Sequence, residues 1–360
     1  MQTEKTIVAS RRRALARPFI KFFKDNAAIL IGLLAIALLI QFLSGNGNFL
    51  NGLFFKQSNI MNVLRQVAIN AMLACGMCIV IILGGIDISV GSVIAFSGVI
   101  AAGMITNYQL PVWLAVMGGM VVGLLCGMFN GFIISTTPLP PFIVTLAMMQ
   151  MARGFAYIYT SGAPIRTMYP EFYNLGTLFV WGIPIQVIYA VVIVIFSIYL
   201  LNRTKMGRHI YAVGGNREAA RFAGINDRRI LFFAYSYSGL LAGLCGVVLA
   251  ARMFSGQPTA GDGQEMETIA STVLGGTSML GGQGTIGGTM IGVLIMGSLS
   301  NGMNLLGINS FWQYVVKGVV ILFAVYIDVL KKRARDVKSL GKNILAAEGA
   351  ADNQDMKQLK

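Results

Sequence analysis

The sequence predicts an all-α polytopic membrane protein with about ten transmembrane helices, some of them broken at glycine-rich motifs. Of the 360 residues, 56% are hydrophobic and only 12% are charged, whereas about 25% are charged in soluble domains. The mean hydropathy is +0.70. The 43 glycines lie within apolar runs, as is common in membrane helices. These observations exclude most classes of soluble enzyme.

Apolar runs long enough to cross a bilayer follow one another from residue 27 onward. A helix needs about 20 apolar residues to span the hydrocarbon core. The first run is longer than the apolar core of a signal peptide, so we expect it to stay attached. Two later runs are short and bounded by glycine, which predicts half-helices or re-entrant pieces at 92–107 and 266–280. The candidate spans are 27–43, 66–83, 92–107, 111–135, 139–159, 184–201, 230–252, 266–280, 284–306 and 311–330.

Positive charge is concentrated in three blocks that hold most of the 28 Lys and Arg. Such blocks beside apolar spans mark the cytoplasmic side of a membrane protein. We therefore expect a cytoplasmic N-terminal tail (1–26), a first membrane half (27–201), a cytoplasmic loop (202–229), a second membrane half (230–330) and a cytoplasmic C-terminal tail (331–360). Even numbers of spans on either side of the loop agree with this topology. Placement beside spans explains the net charge of +14 through topology and anionic headgroups, so nucleic-acid binding is not expected.

The remaining loops then lie outside the cell membrane. They are rich in Gly, Pro and Ser and carry Glu171, Asp262 and Glu265. This composition suits a docking surface, and it equally suits short solvated connectors.

Glycine recurs at helical spacing in three places. Small residues four positions apart let two helix backbones approach closely, and van der Waals contact then replaces the hydrophobic drive that lipid lacks. The pattern predicts a compact bundle with helix contacts at Gly119, Gly123, Gly127 and Gly131, at Gly239 and Gly243, and at Gly284, Gly288 and Gly292.

Two glycine-rich segments resemble each other. Residues 83–91 read LGGIDISVG and residues 274–282 read LGGTSMLGG. Glycine-interrupted apolar segments in corresponding positions of two halves point to the translocation site of a transporter. Chance similarity in a glycine-rich membrane protein is the alternative. The expected topology places both segments on the same side, so an inverted repeat is not indicated.

No motif for catalysis or for nucleotide or metal binding fits its context. A GxGxxG match at Gly282 follows no strand, and GxxxxGK[ST] is absent, so we expect no ATP site and no bound cofactor in this chain. The single histidine, His209, has no catalytic partner motif. The four cysteines lie in apolar runs, where thiols pack as small hydrophobic groups.

Polar side chains within the spans are candidates for a translocation path. Neutral amides and hydroxyls match the hydrogen bonds of an uncharged, polyhydroxylated solute. Alternatively they join helices, at about 0.6 kcal/mol for each bond. Asp87 is the one acid deep in the apolar regions and is either a functional charge or an acceptor that orders the start of the next helix. Arg153 and Lys317 are expected near span ends, with side chains reaching the interface. The candidates are Asn70, Asp87, Ser89, Asn130, Thr145, Gln150, Asn301, Asn304 and Gln313.

The central basic loop predicts a short amphipathic helix on the cytoplasmic surface. From Gly214 it reads GGNREAARFAGIND. Asn216 suits an N-cap, Glu218 favours the dipole of the first turn, and Gly224 suits the end of the helix. Resting on anionic lipid is the simpler role of such a helix.

Several motifs in order give the chain a family resemblance. Glu218, Ala219, Ala220 and Gly224 fit the EAA-x3-G pattern of ABC importer permeases, although no Leu-Pro ends the loop as in the fuller pattern. Between about residues 60 and 330 the chain resembles the ribose/xylose/arabinose/galactoside permeases, and the ribose branch most closely. The matching segments are LGGIDISVGS (83–92), TLAMMQMARG (145–154), SGQPTAG (255–261), LGGTSMLGGQG (274–284), NGMNLLGI (301–308) and QYVVKG (313–318).

The resemblance implies a multi-pass subunit of an importer in the bacterial inner membrane. Two permease copies would work with two cytoplasmic ATPase subunits, which bind ATP and Mg, and with a periplasmic sugar-binding protein. The solute would be a neutral monosaccharide such as ribose or a related pentose or hexose; autoinducer-2, nucleosides and inositol are alternatives. An ion-coupled secondary transporter is the rival class, for which Asp87 is the available carboxylate. The residues that the resemblance assigns to ATPase coupling are Gly215, Asn216, Glu218, Ala219, Ala220 and Gly224.

Overall fold

The computed structural model describes residues 26–323, 325–326 and 330, and this part of the chain is mainly helical. Of the predicted tails 1–26 and 331–360, all residues but Asn26 lie outside the described part of the chain. Four two-residue strands form two antiparallel pairs, β1 (Ile165–Arg166) with β4 (Ser255–Gly256) and β2 (Phe179–Val180) with β3 (Ile183–Pro184). The helices are α1 (Ala27–Ser44), a 3-10 turn (Phe49–Asn51), α2 (Gln57–Ile82), α3 (Val90–Thr106), α4 (Val112–Thr136), α5 (Pro141–Thr160), α6 (Pro170–Thr177), α7 (Ile185–Arg203), α8 (Lys205–Gly215), α9 (Arg217–Phe222), α10 (Asp227–Arg252), α11 (Gln264–Leu274), α12 (Ile286–Leu305) and α13 (Ser310–Phe323).

Six of the described helices are long and apolar enough to cross a membrane, namely α2, α4, α5, α7, α10 and α12. Shorter apolar helices correspond to the predicted spans in α1, α3 and α13. The all-helical membrane architecture is therefore confirmed, while the total of about ten spans and the orientation of the termini stay predictions. The helix predicted over 66–83 begins earlier, at Gln57, because apolar composition marks the membrane-embedded part of a helix and not its ends.

The core is built around α2 and α10. Of an apolar 18-residue stretch in α2, 89% is buried inside the protein, and the corresponding fraction in α10 is 78%. In α4, α5 and α7 it is only 28%, so these helices present most of their apolar side chains outward. A helix that is apolar on all sides can lie either in the core or at the lipid-facing surface, because lipid and protein core are equally apolar.

The predicted glycine contacts are confirmed between α4 and α10. A Cβ added to Gly123 would lie 2.5 Å from Cα of Gly243, and one added to Gly239 would lie 2.6 Å from Cα of Gly127. The backbones of the two helices therefore touch, which side chains at these positions would prevent. A Cβ added to Gly292 on α12 would lie 2.8 Å from the nitrogen of Gly275. The backbone of α12 therefore also packs closely against the end of α11.

The two similar glycine-rich segments are both breaks between helices, and they meet. The amide of Gly282 donates to the carbonyl of Ile82 at 2.8 Å. A Cβ on Gly281 would lie 2.7 Å from the carbonyl oxygen of Gly214, at the end of α8. Gly84 and Gly276 both have positive φ, +76° and +87°, a conformation that glycine adopts readily. Both breaks thus lie at the same end of the bundle, as the sequence predicted.

The span predicted over 266–280 is a half-helix. Helix α11 has 11 residues, which at about 1.5 Å per residue is roughly half of the ~30 Å hydrocarbon core. It ends at Leu274 because Gly276, two residues on, takes a left-handed conformation. The prediction of a half-helix fits this segment, whereas 92–107 is a continuous helix, α3.

The chain that leads into α11 passes along α3 through β4 and the turns at 258–263. A Cβ on Gly256 would lie 2.8 Å from Cβ of Ala102, and one on Gly261 would lie 3.1 Å from Cβ of Ile94. Residues 256–261 therefore pass from the last third of α3 towards its first turn. Asp262 is exposed and Glu265 is half-buried, and their position in an outer loop stays a prediction.

Candidate translocation path and coupling surface

Two adjoining cavities lie on the face formed by α5, α13 and residues 257–267. They share Asp262 and Glu265. The first has a volume of about 270 Å3 and is lined by Ser92, Met149, Gln150, Arg153, Tyr157, Thr259, Asp262 and Glu265. The second has a volume of about 490 Å3 and is lined by Asp262, Gly263, Gln264, Glu265, Met266, Glu267, Ser310, Gln313, Tyr314, Lys317, Gly318 and Ile321. On this face, charged and amide side chains lie between helices that are otherwise mainly apolar.

The placement of Arg153 near a span end, with its side chain reaching the interface, stays a prediction. Arg153 is in the second half of α5, and its Nη1 donates to the carbonyls of Pro258 at 2.7 Å and Ala260 at 2.9 Å. Non-helical backbone within a bundle of apolar helices needs such partners, because hydrocarbon offers none. Arg153 therefore fixes the turn that contains Pro258 and Ala260 against α5, and it also lines the first cavity.

Lys317 forms a partly buried ion pair, and its placement near a span end stays a prediction. Its Nζ lies 2.6 Å from Oε2 of Glu267, whose side chain is only 7% exposed. The pair joins α13 to α11. Glu267 was not among the residues singled out from the sequence, because it lies at the very start of the predicted span 266–280. The available signal was Lys317 itself, because a lysine within a span needs a counter-charge.

Asp87 is 1% exposed and orders the first glycine-rich break. Its Oδ1 accepts from the amide of Ser89 at 3.1 Å and from Oγ of Ser89 at 2.6 Å, and its Oδ2 accepts from Oγ of Ser238 at 2.9 Å. Asn130 donates to Oγ of Ser89 at 3.0 Å. Thr145 donates to the carbonyl of Ile86 at 3.1 Å. The structure brings these candidate path residues together but in the core, which supports the loop-ordering interpretation of Asp87.

The other predicted path residues divide into two groups. Asn70 on α2 bonds Ser271 and Thr268 of α11, and Asn301 on α12 exchanges two 2.9 Å bonds with Asn59. These amides join helices.

Gln150 and Gln313 instead line the first and the second cavity, respectively. Asn304 accepts from Gln313 at 2.8 Å. The predicted set thus contributes two cavity-lining amides, while Ser92, Arg153, Thr259, Asp262 and Glu265 were not among the candidates.

The central loop folds as two helices, α8 and α9, joined at Asn216. Oδ1 of Asn216 accepts from the amide of Ala219 at 2.9 Å, which confirms the predicted N-cap. Glu218 lies in the first turn, and Gly224 has φ +79° just after the helix. Ala219 and Glu218 are exposed, whereas Ala220 is buried. Phe222 is 93% exposed and was not singled out from the sequence.

An ionic cluster holds α9 against the start of α10. Asp227 accepts from Nε of Arg217 at 2.6 Å and from Nη2 of Arg221 at 2.8 Å. The hydrogen bond and charge of Asp227 raise the pKa of Arg221. The exposed side of α9 is therefore displayed in a fixed orientation.

Helix α8 contacts the glycine-rich breaks directly. Tyr211 donates from its hydroxyl to the carbonyl of Gly284 at 2.7 Å. Burial raises the pKa of Tyr211 to about 12, so the phenol keeps the proton that it donates. A Cβ on Gly282 would lie 2.9 Å from Cα of Gly215. Helix α8 is therefore in direct contact with the second glycine-rich segment (274–284).

Comparison with known proteins agrees with this architecture. Residues 59–325 match the family described as branched-chain amino acid transport system / permease component. The ribose import permease protein RbsC of Escherichia coli strain K12 is 41% identical over 88% of this chain and 97% of its own length. RbsC of Bacillus subtilis is 46% identical over 78% and 88%, and the L-arabinose transport system permease protein AraH of Escherichia coli K12 is 41% identical over 77% and 84%. The chain therefore belongs to this family of membrane permease components.

Proposed function

We propose that the chain is the transmembrane permease subunit of an ATP-driven, binding-protein-dependent importer of a neutral monosaccharide in the bacterial inner membrane. The observation that carries this proposal is the charged and amide-lined face of α5, α13 and residues 257–267, placed at the depth of apolar helices. Intramembrane ionisable groups face a bundle interior or a water-filled path.

A sugar is the solute that the comparisons favour. The family description mentions branched-chain amino acids. The relatives that are 41–46% identical over most of their length carry the names of ribose and arabinose permeases. The lining of the first cavity is mainly polar, which suits hydroxyl groups better than a branched aliphatic side chain.

A second copy of the chain completes the path. Exposing Arg153 or Asp262 to lipid would cost about 2.5–3.5 kcal/mol for each charge at the bilayer centre. A partner copy that covers the face of α5 and α13 removes this cost and encloses the two cavities between the subunits.

Helix α9 is the contact with a separate ATPase subunit. The exposed side chains of Glu218, Ala219 and Phe222 form its accessible side. Gly215, Asn216, Ala220 and Gly224 set its position and its ends. Closure of the ATPase, which binds ATP and Mg, would move α8 and thereby the second glycine-rich segment that it contacts.

Reconstitution in proteoliposomes tests the proposal. The chain is combined with its candidate ATPase and with candidate binding proteins loaded with ribose, xylose, arabinose or galactose. We expect one loaded binding protein to stimulate ATP hydrolysis and sugar uptake together. Uptake that needs an ion gradient and no ATPase would replace the proposal with the secondary-transporter class.

A matched pair of variants tests the coupling surface. Phe222→Ser removes the exposed aromatic side chain of α9, and Leu50→Ser makes a similar change at the opposite end of the bundle, where Leu50 is also exposed. We expect the ATPase to co-purify with the Leu50 variant and not with the Phe222 variant. Equal co-purification would place the ATPase contact elsewhere.

A further inference from the structure

We propose that the first cavity, between α3, α5 and residues 257–265, binds the monosaccharide in transit. This inference rests on the proposed function and names the site at which the permease itself holds its solute. The contacts come from Ser92, Gln150, Arg153, Thr259 and Glu265, with the ring of Tyr157 at one wall.

The dimensions suit one sugar unit. The volume of about 270 Å3 is close to the ~300 Å3 at which ligand pockets begin. A pentose or hexose fits this space. Ser92 lies in the first turn of α3, just after the break that Asp87 orders, so the cavity adjoins the first glycine-rich segment.

Hydrogen-bonding capacity in the cavity is unused by the protein. Nη1 of Arg153 is committed to Pro258 and Ala260, which fixes the plane of the guanidinium. Within residues 26–323, its Nε and Nη2, the amide of Gln150 and the hydroxyl of Thr259 make no side-chain hydrogen bond. Each sugar hydroxyl both donates and accepts, so it can use these donors and acceptors at once.

Opposite charges face the cavity without neutralising each other directly. Arg153 and Glu265 interact electrostatically, yet the ion pairs of the described chain do not include them. The guanidinium and the carboxylate therefore do not form an ion pair, although both line the cavity. A hydroxyl pair on one sugar can accept from Arg153 and donate to Glu265 across it.

Charge and shape also exclude other solutes. Asp262 and Glu265 outnumber Arg153 in the lining, which disfavours an anionic sugar phosphate. An amino acid could match the two charge signs, but a branched side chain needs an apolar subpocket. Met149 is the only aliphatic side chain among the described lining residues.

Direct binding is the first test. Saturation-transfer NMR measures ribose binding to the full chain in lipid nanodiscs, with leucine and ribose 5-phosphate as competitors. We expect Gln150→Ala and Thr259→Val each to weaken binding about three- to tenfold, the effect of one lost hydrogen bond. Gln57→Ala is the control, because Gln57 is exposed at the start of α2 and lines neither cavity. Displacement by leucine would overturn the sugar assignment.

Transport separates this inference from the proposed function. In proteoliposomes that import ribose with the wild-type chain, Gln150→Ala and Thr259→Val should lower the sugar moved per ATP hydrolysed, while stimulation by the loaded binding protein persists. A merely structural role would lower both together. Unchanged sugar binding and unchanged sugar per ATP in both variants would reject the site, whereas failure of the wild-type chain to import would reject the proposed function.

Discussion

The contact between α4 and α10 is tested by a single methyl group at Gly123. A Cβ there would lie 2.5 Å from Cα of Gly243, while ordinary contacts of a Cβ begin at 3.4 Å. The two helices must therefore separate by roughly 1 Å at this point, because both sides of the contact are backbone. Overpacking of this kind costs about 1–3 kcal/mol. Alanine regains about 0.5–1 kcal/mol over glycine in a helix interior.

Gly154→Ala on α5 is the matched control. A Cβ there meets nothing within 4 Å, so this variant gains helix propensity without overpacking. Both variants carry the same substitution in the interior of a helix, and the propensity gain cancels between them. The free energy of unfolding should therefore be lower for Gly123→Ala than for Gly154→Ala by about 1–3 kcal/mol.

Reversible unfolding in mixed detergent micelles measures this difference. The wild-type chain and both variants are titrated with sodium dodecyl sulfate, and the transition is followed by far-UV circular dichroism. If Gly123→Ala unfolds at the same detergent fraction as Gly154→Ala, the close contact between the backbones of α4 and α10 at Gly123 is refuted.

Three further predictions concern polar contacts. Glu267→Gln or Lys317→Met alone should lower stability by about 3–5 kcal/mol, because a buried charge loses its partner, and the double variant should recover most of it in a double-mutant cycle. Asp227→Asn should loosen α9, which faster tryptic cleavage at Arg221 would report; an unchanged cleavage rate would contradict the role of the cluster. Ser238→Ala should cost about 1.5–3 kcal/mol as a lost bond to a buried carboxyl, measured by the same detergent titration, and a neutral result would dismiss its contact with Asp87.

Local signals in the sequence predicted local structure well. The four-residue recurrence of glycine predicted the faces at which α4 and α10 touch, because both partners carry the same pattern. The N-cap at Asn216 and the helix end at Gly224 were readable for the same reason, since capping depends on residues within one turn.

Partners distant in sequence were not predictable in this way. Nothing near Arg153 in the chain indicates that its guanidinium bonds the carbonyls of Pro258 and Ala260. The pair of Lys317 and Glu267 joins two helices that are far apart in the sequence. The short, glycine-bounded run predicted the half-length of α11, but it did not indicate that Glu267 is the partner of Lys317. The cavity residues therefore emerged from the fold and not from motifs.

The junction of Gly214, Ile82 and Gly282 has a consequence for biosynthesis. These residues come from three distant parts of the chain, and the last of them is synthesised long after the central loop. Until Gly282 has emerged, α8 lacks its contact with the second glycine-rich segment. The position of α8 and α9 should therefore become fixed only when the second membrane half is nearly complete.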